Sequence, residues 1–204
     1  MSSVEAPGKR GIAIGRDAIH SIFATGDHIQ FFVGDYQRLA DAYLRPWPVF
    51  KRVQLDRFTG RGWLASQVDD FLTCHDHGVF VLEAEAGLGK TAFLAHLARE
   101  RGYIHHFVEL ARGLDGVAPG LKSLAAQLVR AWELNPYTAE AVLPGSAARP
   151  EFLQNLLKEA ADQRDRTKPG EKIVLVVDAL DEAGTPSGQN VLGLPRILPR
   201  GVYL

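Results

Sequence analysis

The stretch Ala84-Glu85-Ala86-Gly87-Leu88-Gly89-Lys90-Thr91 constrains the fold of this chain more than any other. An apolar run, Val79-Phe80-Val81-Leu82, leads into it, and a helical pattern, Ala92-Phe93-Leu94 then Leu97-Ala98, leads out. Gly87 and Gly89 let the backbone curl tightly enough to aim several N–H groups at one anion. A helix starting at Lys90 or Thr91 adds the positive end of its dipole at the same place. The spacing is that of the Walker A pattern, G-x-x-x-x-G-K-[ST], with Ala84 where the first glycine stands. In that pattern Lys90 reaches the β- and γ-phosphates of a nucleotide and the Thr91 hydroxyl ligates Mg²⁺. The plainer alternative is a Gly-rich strand-to-helix turn with Lys90 as a solvated charge. The run before the loop and the helix after it weigh against that alternative.

A second segment points the same way. Ile173-Val174-Leu175-Val176-Val177 is a continuous apolar run, four of its five residues β-branched, and reads as a strand buried on both faces. It ends in Asp178, and Asp181 and Glu182 follow a turn later. Asp178 fits a Walker B aspartate holding the metal shell from the carboxyl end of a parallel strand, where doubly wound sheets bind ligands. Asp181 is a second acidic partner for the metal, and Glu182 is placed to orient or deprotonate an attacking water. Alone, the run also reads as a core strand followed by a solvated acidic loop. Both motifs together, in this order, predict an α/β P-loop NTPase with a doubly wound parallel sheet.

Val176 to Ala183, Val-Val-Asp-Ala-Leu-Asp-Glu-Ala, resembles the NACHT form of Walker B, in which a strand aspartate is followed by a small residue and an acidic pair. NACHT proteins belong to the STAND class of signal-transducing P-loop ATPases. Glu85 to Thr91 is similar to their Walker A, and Tyr103-Ile104-His105-His106-Phe107-Val108 to the strand after their P-loop helix. Phe58-Thr59-Gly60-Arg61 resembles the F-x-G-R element that helps cover the nucleotide. The resemblance covers about residues 50–204. It implies ATP and Mg²⁺ as cofactors, held by Ala84, Gly87, Leu88, Gly89, Lys90, Thr91 and Ala92 with Gly60 and Arg61. Thr91, Asp178 and Asp181 serve the metal, and Lys90 and Glu182 carry the chemistry. ATP and ADP are then the ligands of a switch, with a homo-oligomer or protein partner engaged through further C-terminal regions. The alternatives are an AAA+-type P-loop ATPase and an interaction fragment that binds no nucleotide.

Composition agrees with a globular domain. Hydrophobic residues make up 46% and charged residues 23%, enough apolar content for a real core. A net charge of −1 gives no electrostatic case for nucleic acid or a membrane as an obligatory partner. The single cysteine, Cys74, excludes an internal disulfide and suits a reducing compartment. No apolar run approaches the ~18 residues that span a bilayer, and the first eight residues lack a signal peptide's apolar core. A cytoplasmic location follows as the simplest expectation.

Three regions are expected. Residues 1–34 alternate short apolar pieces with Gly-Asp turn signals and read as a short β-rich segment. Residues 35–60 hold a helix over Asp35–Leu44, from the stripe Tyr36, Leu39, Ala40, Tyr43, Leu44, and then a linker marked by Pro46 and Pro48. Residues 61–204 form the P-loop domain: a helix over about 61–73, a strand over 79–84, a helix over 90–101 stopped by Gly102, and a strand over 103–110. Helices over about 118–134 and 150–165 and a strand over 172–178 complete it. Cys74-His75-Asp76-His77 reads as a solvated loop, since ligands so close in sequence converge poorly. His105 and His106 point to opposite faces of their strand as packing residues. In the class resembled, the next strand carries a sensor residue and lies between the Walker A and Walker B strands. Here that strand and the lid are expected to be missing, which predicts an open edge on the Walker A strand and ATP hydrolysis that is slow or absent.

Overall fold

The structure, a computed structural model, describes residues 35–112, 114–178, 192–195 and 197–204. In chain order it holds β1 (Tyr36–Arg38), α1 (Leu39–Ala42), α2 (Trp47–Arg52), α3 (Gly62–Cys74), α4 (Lys90–Arg101) and β2 (Ile104–Phe107). These are followed by α5 (Val117–Trp132), α6 (Tyr137–Glu140), β3 (Val142–Pro144), α7 (Pro150–Thr167), β4 (Ile173–Asp178) and β5 (Val202–Tyr203). The expected short β-rich segment at 1–34 lies outside the described residues.

The central sheet is parallel, in the order β2-β4-β5. The apolar run at 173–177 makes β4 its middle strand. Its side chains alternate between two cores: Ile173 and Leu175 pack with α5 and α7, and Val174 packs with α3 and α4. Helices thus cover both faces. Helix α5 is the main cover on one side, because Leu121, Leu124, Leu128 and Val129 form one apolar stripe and all are fully buried. On α7, Pro150 stands in the first turn, where a missing N–H costs nothing. Leu153, Leu156, Leu157 and Ala160 then face the same core.

Beyond β5 the chain segment Gly78–Phe80 runs parallel to it. Gly78 N–H donates to Val202 O (3.3 Å), Leu204 N–H to Gly78 O (3.0 Å) and Phe80 N–H to Leu204 O (2.8 Å). Over Gly78–Phe80 the expected open edge is covered: residues 202–204 lie between this segment and β4, bonded to both. The expected strand over 79–84 is reduced to a single bridge at Gly78, since the ladder stops at Phe80 and residues 81–84 meet no strand partner among the described residues. The turn into β5 is tied down from behind by Arg164 of α7, which is buried and donates to Arg200 O at 2.8 Å. Gly201 is required there. A Cβ on it would lie 1.9 Å from the Arg164 guanidinium, and its φ is +72°.

The other edge of the sheet is closed by a side chain. Gln127 of α5 accepts from His105 N–H (3.0 Å) and donates to His105 O (2.8 Å), standing in for a further strand. The strand expected over 103–110 is only Ile104–Phe107, and a 3₁₀ turn at Val108–Leu110 ends it.

The helix expected over Asp35–Leu44 is replaced. Tyr36–Arg38 is extended and pairs antiparallel with Val142–Pro144, leaving only Leu39–Ala42 helical. Leu39 N–H donating to Ala141 O (2.9 Å) extends that long-range pairing, which outweighs the local helical stripe. Pro46 and Pro48 mark no linker either. Pro46 caps α2 and Pro48 occupies its first turn, and Val49 on that helix is fully buried against Phe107 and Ala95.

Candidate functional site

The loop expected to bind phosphate lies between Gly78 and α4. Gly87 and Gly89 have φ of +81° and +80°, a region open to glycine and costly to other residues. Gly89 is the N-cap of α4, so the helix begins at Lys90, with no side chain capping its first turn. The N–H groups there remain available to an anion. Phe93 N–H, bonded to Gly89 O at 3.1 Å, starts the helical ladder. Helix α4 ends at Arg101 with Gly102 in the left-handed conformation.

Lys90 folds back over this loop. Its ammonium donates to Ala84 O and, at 3.2 Å, to Glu85 O. Among the described residues no carboxylate pairs with it. The Thr91 hydroxyl has no protein partner among the described residues. Leu88 is exposed, and its carbonyl accepts from the Arg61 guanidinium. A Cβ on Gly89 would lie 3.3 Å from that guanidinium, which the arginine side chain can relieve by a small shift, so it is the φ of +80° that calls for glycine there.

Arg61 reaches the loop because of its backbone. Gly60 and Arg61 have φ of +84° and +58°, and the pair turns the chain into α3. Arg61 O then accepts the first bonds of that helix, from Leu64 N–H (3.0 Å) and Ala65 N–H (3.1 Å). A left-handed arginine is strained, and the turn, the helix start and the contact with Leu88 together hold it. Gly89, Ala92 and Arg61 share a groove of about 440 Å³ with Phe58, Thr59, Arg52 and Arg57. Arg52 is paired with Glu109 at 2.5 Å, and Arg57 leans on Gln54 at 3.4 Å. The sequence reading missed Arg52 and Arg57. Their signal was the run of cations Lys51, Arg52, Arg57 and Arg61 just before α3.

Asp178 ends β4, opposite Phe107 in register, and is 6% exposed. It lines a cavity of about 430 Å³ together with Glu83, Ala84 and Lys90. The structure therefore brings Ala84, Lys90 and Asp178 to one space, and Gly89, Ala92 and Arg61 to the adjacent groove. Asp181 and Glu182 lie outside the described residues. Among the described residues no group of three or more His, Cys, Asp or Glu could hold a metal ion. That does not count against Mg²⁺ at a phosphate site, which takes one or two protein ligands with waters and phosphate oxygens. An unpartnered Thr91 hydroxyl and a buried carboxylate at a strand end fit such a shell.

The two strand histidines serve packing. His106 is 1% exposed, and its ring lies against Gly120 of α5, where a Cβ would come within 2.7 Å. Burial, with His105 beside it, pushes its pKa down to about 4. His105 is lowered by burial too, and its Nδ1 is 2.8 Å from Tyr103 O. Cys74 is exposed, at the end of α3. Among the described residues no helix is long and apolar enough to cross a membrane. No family model, curated protein or solved structure matches the chain.

Proposed function

We propose that the chain is the ATP–Mg²⁺-binding module of a signal-transducing P-loop ATPase of the NACHT type. The observation that carries this reading is the loop at 84–91: two left-handed glycines, an uncapped helix start, and a lysine lying over the loop carbonyls. Such a loop cradles phosphate oxygens with backbone N–H groups, and the lysine adds a mobile charge. Thr91 and Asp178 hold Mg²⁺, with Asp181 as a further acidic partner. Bound Mg²⁺ supplies charge neutralisation on the β- and γ-phosphates. Gly60 and Arg61 border the nucleotide from the α3 side, and Glu182 orients water. The parallel sheet with helices on both faces supports the P-loop fold assignment, with the site at the carboxyl ends of its strands.

In this reading the protein is a cytoplasmic switch. ATP favours an open, oligomerising state and ADP a closed one, through differential contacts with regions beyond this module. The test is a fluorescence titration with a labelled ATP analogue and Mg²⁺, comparing the chain with Lys90→Ala. The expected result is micromolar binding, weakened at least tenfold in the variant. Equal binding by both, or no binding by a folded sample, overturns the reading.

A further inference from the structure

Helix α5 carries a polar stripe beside its apolar one: Ser123, Gln127 and Arg130 follow each other at helical spacing. The first two serve the fold. Ser123 is fully buried, and its hydroxyl oxygen accepts from Leu44 N–H (3.0 Å), which pins the chain leaving α1 against α5. The Gln127 amide donates to His105 O and, at 3.1 Å, to Ser123 O. Arg130 has no such duty, and the pinning of Leu44 brings Arg45 to the same place. The two arginines line a cavity of about 470 Å³ with Tyr43, His105 and Gln127. Both charges act on the Tyr43 hydroxyl: burial pushes its pKa up, and the two guanidiniums pull against that. No carboxylate is among the described residues that line the cavity, and among the described residues neither arginine forms an ion pair.

The neighbouring donors are already engaged. His105 Nδ1, 2.8 Å from Tyr103 O, is the protonated ring nitrogen, so Nε2 accepts from the Tyr43 hydroxyl at 3.4 Å. What remains unspent is the pair of guanidiniums, over an apolar wall of Leu39, Ile104 and Ala126. The place is distinct from the loop at 84–91. Ala98 and Gly102, at the far end of α4, border the cavity, and the 12 residues of that helix span ~18 Å. The chain enters β1 at its other end, where Asp35 O accepts from Gly145 N–H (2.6 Å), while the cavity begins at Leu39.

We propose that this cavity is a second anion site, which takes a phosphate monoester carried on a compact apolar or aromatic body. Guanidinium forks match phosphate oxygens two at a time. A monoester brings nearly two negative charges at neutral pH, against two cations, where a carboxylate brings one. The volume lies within the range of small-molecule clefts, and a bare inorganic ion would leave the apolar wall unused. The dipole of α5 accounts for a cation in its last turn, where Arg130 stands. It does not account for Arg45, which belongs to no helix. Arg45 and Arg130 hold the phosphate, and the body of the ligand rests on Leu39 and Ile104.

The probe is phenyl phosphate, titrated without nucleotide into the isotope-labelled chain while its amide NMR signals are followed. The expected result is saturable shifts at Arg45, Gln127 and Ala131, with a dissociation constant of about a millimolar or tighter. Arg45→Gln and Arg130→Gln, both at exposed positions, each weaken that binding at least tenfold. Lys90→Ala leaves it unchanged, which separates this site from the nucleotide loop. Phenol, the neutral counterpart, produces no saturable shift at the same residues. The proposal is overturned if a folded sample shows no saturation at Arg45, Gln127 and Ala131, or if both glutamine variants bind as the parent chain does. Shifts confined to Gly87 and Gly89 and lost in Lys90→Ala would place the phosphate in the loop and overturn it as well. Equal binding of inorganic phosphate would overturn the assignment of a monoester.

Discussion

On one side of β4 lies β2, four residues in continuous register with it, and beyond β2 the Gln127 amide completes the ladder at His105. On the other side β5 pairs with β4 for two residues, beside an apolar cavity of about 430 Å³. The backbone is the same on both sides. What differs is how its polar groups are met: by a four-residue strand and then a side chain at one edge, and by a two-residue strand and then the Gly78–Phe80 segment at the other. An edge closed by a side chain cannot recruit a further strand. The sheet is therefore finished on the α5 side and only briefly laddered on the β5 side.

The sharpest way to break this comparison is to remove core from the finished side. Leu124→Ala, in the fully buried stripe of α5, is expected to cost about 2–5 kcal/mol in urea unfolding. Val81→Ala on the β5 side should change stability by less than about 0.5 kcal/mol, because that residue is 67% exposed. Similar losses from the two would show that the segment before the loop is packed as tightly as α5.

Acid probes the finished side next. His106 is neutral when buried, with a pKa of about 4, and takes up a proton near pH 6.5 once unfolded. Between those values the unfolded state binds more protons, so stability is full at neutral pH and falls as pH drops through this window. From pH 7 to pH 5 the loss from His106 alone is about 2 kcal/mol. His105, lowered in the same direction by burial, adds to it. His106→Leu should flatten the pH dependence of the melting temperature, and an unchanged slope would show that the ring is not the group responsible.

Gln127→Ala should have the smaller effect, about 1–2 kcal/mol, by leaving the amide and carbonyl of His105 without the side chain that bonds them. Hydrogen exchange at His105 should accelerate, and an unchanged rate would mean another group closes that edge.

The parts legible in the sequence were those whose signal is local. The Leu121–Trp132 stripe, the apolar run of β4, and Gly89 and Gly102 at the two ends of α4 each state their structure within a few residues. So does the loop at 84–91. The β1–β3 pairing was not legible, because each strand is three residues long and the register joins Tyr36 to Pro144. Tyr36, Leu39 and Tyr43 keep a helical stripe that a distant backbone overrides. Gln127 as an edge cap was equally hidden, since a glutamine on a helix declares nothing about the strand it meets. In the candidate site, Lys90 and Thr91 came from spacing and Arg61 from the resemblance. The contact of Arg61 with Leu88 depends on a left-handed backbone that no residue type announces.

The self-contained bonding of the loop sets a threshold for what can enter it. Lys90 and Arg61 already spend donors on the carbonyls of Ala84, Glu85 and Leu88, so a ligand must exchange those bonds, not simply add to them. A multiply charged phosphate chain offers stronger acceptors than three amide oxygens, and the exchange runs in its favour. A neutral or singly charged molecule offers less than it displaces. The resting contacts thereby discriminate by charge before any base or sugar is read.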